Sequence, residues 1–200
     1  MTIANLPYPS SSDSSSKKRT PKPISWETFE RKYLSREDSW KYEWVNGIVE
    51  KTKRSIYQEQ YFILRNQRNL FMKLHFDEKI SGALEPEIDT FLLKNVHRRP
   101  DLAWFSEEQS TAMAKGEHQI PNFVIEIISK NDKAREVQGK LKNYRDAGVQ
   151  VIWQIYPHLE QVNVCLKETI TICSGDMICS AAPVLPPFQL AAKEIFIRPE

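Results

Sequence analysis

The stretch PNFVIEIISKND, residues 121–132, carries a charge where the pattern has no place for one. From Phe123 to Ile128 every residue except Glu126 is apolar and β-branched side chains dominate, the composition of a strand covered on both faces. A carboxylate in the middle of such a strand has lost water on both sides, and a buried charge without a partner is strongly unfavourable. Downstream, apolar positions Val137, Leu141 and Tyr144 recur at helical spacing over about 132–147, and Gly148 stands where a left-handed C-cap is usual. VQVIWQIYP, 149–157, then reads as a second buried strand, parallel to the first because a helical crossover joins them. A strand, helix, strand unit of this kind calls for an α/β or α+β fold with a mixed sheet flanked by helices.

The elements to either side extend that sheet. YEWVNGIVE, 42–50, is a hairpin around Asn46-Gly47, two residues that tolerate the positive φ of a type I′ turn. A long helix is expected over 55–76, with Ile56, Ile63, Leu70 and Leu74 on one stripe and Tyr57, Tyr61, Leu64 and Phe71 on the next. Strands follow at EIDTFLL (87–93) and PDLAWF (100–105), and after 157 come a hairpin from QVNVCLKE and TITIC and a Pro-rich C-terminal wrap. SWETFERKYL, 25–34, opens with Ser25 as a helix cap. Residues 1–24 are Ser/Pro-rich and expected to be a disordered basic tail, leaving 25–200 as one domain.

Composition narrows the function classes. The chain's 200 residues suit one ordinary core, and with no apolar run of membrane-spanning length and no secretory leader the expected location is the cytoplasm, with no membrane partner. Cys165, Cys173 and Cys179 form no C-x-x-C or Cys/His cluster and read as reduced thiols. The net charge is +2, but residues 1–24 hold Lys17, Lys18, Arg19 and Lys22 against Asp13, so the remainder carries −1 and does not announce nucleic acid by charge alone.

Chemistry must therefore come from a local constellation around Glu126. Asp101 begins a neighbouring strand, and two carboxylates on adjacent strands can converge on a hard divalent cation. Read singly, each has a plain alternative, a salt bridge for Glu126 and loop amides for Asp101. The position two residues beyond Glu126, on the same strand face, is Ile128. The nearest cations are Lys140, on the margin of the buried helical face, then Lys133 and Lys130.

Pro100-Asp101 followed by Glu126 resembles the PD-(D/E)XK nuclease superfamily, in which a lysine normally stands two residues after the acid; here Ile128 holds that place. More closely, YEWVNGIVE, RRPDLAWF, FVIEIIS, KLKNYRDAGVQVIWQIYP and PPFQLAAKEIF, five motifs in order, resemble the Uma2 family (DUF820) of restriction-endonuclease-like proteins, abundant in cyanobacteria. The resemblance implies a restriction endonuclease-like core with extra β-hairpins at both ends. It also implies a catalytic trio of Asp101, Glu126 and a Lys140 migrated to the following helix, with Asp101 and Glu126 holding Mg²⁺ or Mn²⁺ for phosphodiester hydrolysis of nucleic acid, DNA before RNA. Glu43 matches an acid of the family's hairpin and is an additional site candidate, although a hairpin salt bridge is the plainer reading. The chain departs from the family at the start of the long helix, where Tyr57, Gln58 and Glu59 stand in place of a frequent His, and at Ser129-Lys130 in place of Ser-Pro. His97, Arg98, Arg99, Arg65, Arg68 and Lys73 are candidate phosphate contacts. Glu85, Glu87 and Asp89 read as edge or solvent carboxylates. A duplex cutter of this size is expected to act as a homodimer. The rival is a catalytically inactive nucleic-acid-binding or assembly module, with Trp40, Trp44 or Trp153 on a partner surface. A two-carboxylate sugar hydrolase is weaker, since it needs no Lys and favours an open cleft.

Overall fold

The computed structural model describes residues 22–53 and 58–198. In chain order the elements are α1 (Trp26–Phe29, continued by a π turn), β1 (Trp40–Val45), β2 (Ile48–Lys53), α2 (Gln58–Phe76), β3 (Ala83–Pro86), β4 (Thr90–Leu93), β5 (Val96–Arg98), β6 (Leu102–Phe105), α3 (Glu107–Ala114), β7 (Phe123–Ile127), α4 (Ala134–Asp146), β8 (Val151–Tyr156), β9 (Gln161–Cys165), β10 (Ile170–Ser174), β11 (Ile178–Ala181), β12 (Leu185–Ala191) and α5 (Ala192–Ile195). The tail expected over residues 1–24 lies outside the described residues as far as residue 21. Ile24, expected within it, donates its amide to Gly47 O and accepts Trp44 Nε1, which pins it to the β1–β2 hairpin.

A six-stranded sheet in the order β10-β9-β8-β7-β6-β3 forms the centre, and its β7–β8 pair is parallel while its other pairs are antiparallel. Side-chain alternation gives each face its own core. Phe123, Ile125 and Ile127 of β7 and Val151, Trp153 and Ile155 of β8 pack with Ile63, Phe71 and Leu74 of α2 and Phe188 of β12. On the opposite face Val124, Ala103, Phe105 and Ile152 meet Leu141 and Tyr144 of α4. Glu126 shares the parity of Val124, so it points into this second face.

A separate four-stranded sheet, β2-β1-β5-β4, stands against that same face. Its outer side carries Tyr42 and Trp44, packed with Phe29. Its inner side carries Lys41 and Glu43, the alternate residues of β1. The hairpin turn is the expected one, with φ of 49° at Asn46 and 84° at Gly47 and with Val45 opposite Ile48.

Two assignments need correction. The first core strand is Ala83–Pro86, paired with β6, whereas 87–93 contributes β4 to the smaller sheet by folding back on β5. The four residues of β3 bury little besides Leu84, too weak a pattern to stand out beside TFLL. Helix α3 was also unforeseen, although Ser106 and Gln109 form a capping box whose S-x-x-Q spacing announces a helix start. Among the described residues no helix is long and apolar enough to cross a membrane. Cys165, Cys173 and Cys179 are buried and free.

Candidate active site

The β6–β7 ladder sets Leu102 opposite Ile125, and the next pair along it brings Asp101 beside Glu126 on one sheet face. Two carboxylates directly across a ladder repel, the more so when buried. Cations from other elements hold them there. From α4, Lys140 Nζ lies 3.1 Å from Glu126 Oε2 and 3.2 Å from Glu43 Oε2. From β1, Lys41 Nζ lies 2.8 Å from Asp101 Oδ1. Two further donors complete the arrangement: Ile127 N donates to Asp101 Oδ2 at 2.7 Å, and Tyr144 OH donates to Glu126 Oε1 at 2.5 Å.

A second layer fixes the first. Glu43 and Glu50 are cross-strand partners in the β1–β2 hairpin, again like charges, and Arg98 bridges both. The Arg98 guanidinium also donates to Asn143 Oδ1 on α4 from Nε at 3.1 Å and from Nη2 at 2.7 Å. Arg99 N donates to Glu43 Oε1 at 2.9 Å. The smaller sheet and α4 are thus tied together through charged groups around Glu126.

These contacts move the proton equilibria in opposite directions. Burial raises the Glu126 pKa, and the neighbouring carboxylates Asp101 and Glu43 add to it, beyond what Lys140 and Lys41 recover. Burial also opposes ionisation of Glu43, but Lys140, Arg98 and Lys41 with the Arg99 amide overcome it and bring its pKa down to about 2. Lys140 stays protonated: burial disfavours its charge, while Glu126, Glu43 and Asp101 more than restore it. Lys140 lowers the pKa of both Glu43 and Glu126, and at Glu126 burial outweighs it.

The chain's residues 26–193 match the family model of Uma2, described as "Putative restriction endonuclease". The chain belongs to the Uma2 family. Among solved structures it is similar to one described as a "putative nuclease belonging to DUF820" from Anabaena variabilis ATCC 29413, with a TM-score of 0.73 and 18% identity over 87% of this chain and 98% of that one. At that identity the likeness speaks for a shared fold. No curated protein matches the chain.

In this Uma2 chain, Asp101, Glu126 and Lys140 line one cavity of about 630 Å³, together with Lys41, Lys51, Tyr61 and Ser129. The other lysines considered stay away, Lys133 paired with exposed Glu136 and Lys130 at the surface. Glu43 reaches the site through Lys140 and Arg98. His97 and Arg98 are buried and are withdrawn as phosphate contacts: His97 sits among Trp26, Phe29 and Phe91 with Nε2 2.8 Å from Asp89 Oδ1, and Arg98 is consumed by its carboxylates. Arg99 leans on Asp89 and Glu87 O. Asp89 is accordingly a half-buried ion-pair partner at the edge of the smaller sheet. Arg65, Arg68 and Lys73 are exposed on α2, and Arg68 borders a different, smaller hollow. Tyr57 lies outside the described residues, as do the side chains of Gln58 and Glu59. Trp44 and Trp153 are buried, which removes two of the three aromatics of the partner-surface rival.

Lys41 escaped the sequence reading. Its signal was the K-x-E alternation of β1, which puts Lys41 and Glu43 on one face, but nothing in the sequence states that this face covers Asp101.

The donor set suits a hard ion. Among the described residues no three His, Cys, Asp or Glu side chains stand together as a ready cage, so any metal would rest on Asp101 and Glu126 and keep waters. Each of their four oxygens already accepts one protein donor, and a carboxylate oxygen has a second lone pair to offer. The fit is to Mg²⁺ or Mn²⁺, since among the described residues no sulfur or imidazole lines the cavity.

Proposed function

We propose that this Uma2 protein is a Mg²⁺- or Mn²⁺-dependent nuclease that hydrolyses phosphodiester bonds of DNA in the cytoplasm, with Asp101 and Glu126 as metal ligands and Lys140 as the catalytic cation. The observation carrying this reading is the Lys140 ammonium 3.1 Å from Glu126, in the cavity that Asp101 also lines. It answers the missing strand lysine at Ile128 with one from the next helix.

The carboxylates Glu43, Glu50, Asp101 and Glu126 outnumber Lys41, Lys140 and Arg98 by one, so a divalent ion turns a local excess of negative charge into a positive one that a phosphodiester can satisfy. When bound, the metal would polarise the scissile phosphate and lower the pKa of a coordinated water. Lys140, held by Glu43 from behind, presents a fixed ammonium to charge growing on phosphoryl oxygens. Tyr144 keeps Glu126 from turning away. Arg65, Arg68 and Lys73 supply backbone contacts along α2, and a duplex cut on both strands engages two copies of the chain.

The test is cleavage of plasmid, linear duplex, single-stranded DNA and RNA with Mg²⁺ or Mn²⁺. Wild type is expected to cut DNA, and Glu126→Ala and Lys140→Ala each to lose about 10²-fold or more. A second reading draws on the protein donor that each of the four carboxylate oxygens already accepts: the cluster is a metal-free ion-pair network in an inactive nucleic-acid-binding module. Calorimetry with Mn²⁺ separates the two. Binding lost in Asp101→Ala supports the nuclease, and a wild type that takes up no Mn²⁺ rules it out.

A further inference from the structure

We infer that Lys41 is a further phosphate-contacting residue of this site: it occupies Asp101 while no metal is bound, competes with the metal for that carboxylate, and once displaced turns its ammonium to a phosphate oxygen. The inference rests on the proposed metal-dependent cleavage and adds a residue from a different sheet.

Three observations support it. Lys41 is buried, 6% exposed, in a strand whose other inward charge is Glu43, so its ammonium was placed toward the site and not into solvent. A buried ammonium is costly without a partner, and the partner is Asp101 Oδ1 at 2.8 Å. Next, the cations of the cluster are held unequally. Arg98 grips Glu43, Glu50 and Asn143, and Lys140 is shared by Glu126 and Glu43, whereas among the described residues Lys41 pairs with Asp101. Lys41 is thus the cation most readily released when another positive charge takes Asp101. Finally, Lys41 and Lys140 both line the cavity, and the Lys41 ammonium is close enough to feel Lys140, Glu126 and Glu43 as well as Asp101. A lysine freed from Asp101 is a compact point charge on a flexible stem, suited to a phosphate oxygen and not committed to one bidentate geometry. Together the two ammoniums flank the paired carboxylates, one on the Asp101 side and one on the Glu126 side.

The test uses the full chain with Lys41→Met, which keeps the stem and deletes the charge, and Lys41→Arg, which keeps the charge and grips a carboxylate in two places. Mn²⁺ affinity is measured by calorimetry without nucleic acid, and affinity for a phosphorothioate DNA duplex by fluorescence anisotropy with Mn²⁺ present. Lys41→Met is expected to bind Mn²⁺ about tenfold more tightly and the duplex about tenfold more weakly. Lys41→Arg is expected to bind Mn²⁺ several-fold more weakly, and it carries the test should Lys41→Met fail to fold. A merely structural lysine would not move the two affinities in opposite directions. Unchanged Mn²⁺ affinity in both variants, with wild type binding and cutting, overturns the role of Lys41 alone. A wild type that binds no Mn²⁺ overturns the metal reading and this inference with it.

Discussion

Glu43 and Glu126 share Lys140 yet have opposite effects on stability. Glu43 holds its proton less tightly folded than unfolded, since Lys140, Arg98 and Lys41 outweigh burial and take its pKa from 4.5 to about 2. Its contribution is therefore present above pH 4.5 and is lost as the pH falls from there toward 2. Glu43→Gln, which leaves Lys140 and Arg98 short of a buried partner, should cost about 3–5 kcal/mol at pH 7 by urea unfolding, the gap closing below pH 4.5. Glu126 runs the other way. Its folded pKa lies above 4.5 because burial dominates, with Asp101 and Glu43 adding to it, so it favours the folded state in acid and that benefit fades as the pH rises through the folded value. Glu126→Gln should accordingly be more stable than wild type at pH 8, the difference shrinking toward pH 4.5. A Glu126→Gln variant less stable at pH 8 would mean that Lys140 outweighs burial after all. A carboxylate kept where glutamine is the more stable choice is expected of a residue retained for chemistry.

Helix α4 brings Lys140, Asn143 and Tyr144 to the site from successive turns of one face, and its end is fixed by backbone geometry. Val149 N donates to Tyr144 O and Gly148 N to Arg145 O, both at 3.0 Å, with Gly148 at φ 91° and Val149 packed in the same core as Tyr144. This is a Schellman cap, and it needs a residue content in the left-handed region. A Cβ at Gly148 would meet nothing within 4 Å, so Gly148→Ala carries a conformational penalty alone, about 1–2 kcal/mol, seen as a lower Tm. Lys140 lies two turns upstream, so Mn²⁺ affinity should hold; a loss of both would show that the cap sets the ammonium's position. The helix was readable beforehand because Val137, Leu141 and Tyr144 fix its azimuth, and that azimuth alone aims Lys140 at the sheet. Strand β7 was readable because it is buried on both faces. What could not be read was the partnership between sheets. Lys41, Arg98 and Glu43 meet α4 and β6 only once β1 and β5 are laid over the central sheet, and that docking leaves no local period in the chain. The same blindness put His97 and Arg98 on the surface, where basic residues usually belong, and assigned to the core a strand that the β4–β5 turn carries into the other sheet.

The molecule as a whole spends its buried charge internally, which leaves little field to attract a polyanion. With a net charge of +2, and with Lys17, Lys18 and Arg19 against Asp13 in residues 1–21, the remaining chain is neutral. The exposed cations Arg65, Arg68 and Lys73 on α2 and Lys51 at the cavity are diluted among carboxylates, so long-range attraction to DNA should come substantially from residues 1–21. Removing them spares Ile24, whose contacts to the β1–β2 hairpin close the near side of the smaller sheet. The shortened chain is expected to keep the Mn²⁺ affinity of the whole one, because the site's carboxylates and lysines all lie between 41 and 140. Its duplex affinity should fall, and the slope of log affinity against log salt should become shallower by up to about 3, the release expected for three phosphate contacts. If the slope is unchanged, the phosphate contacts belong to the folded surface, and Arg65→Glu with Arg68→Glu should then flatten it instead. Separate responses of salt slope and metal affinity would show that nucleic acid is gathered by one part of the chain and handed to a site that, metal-free, has no excess positive charge of its own.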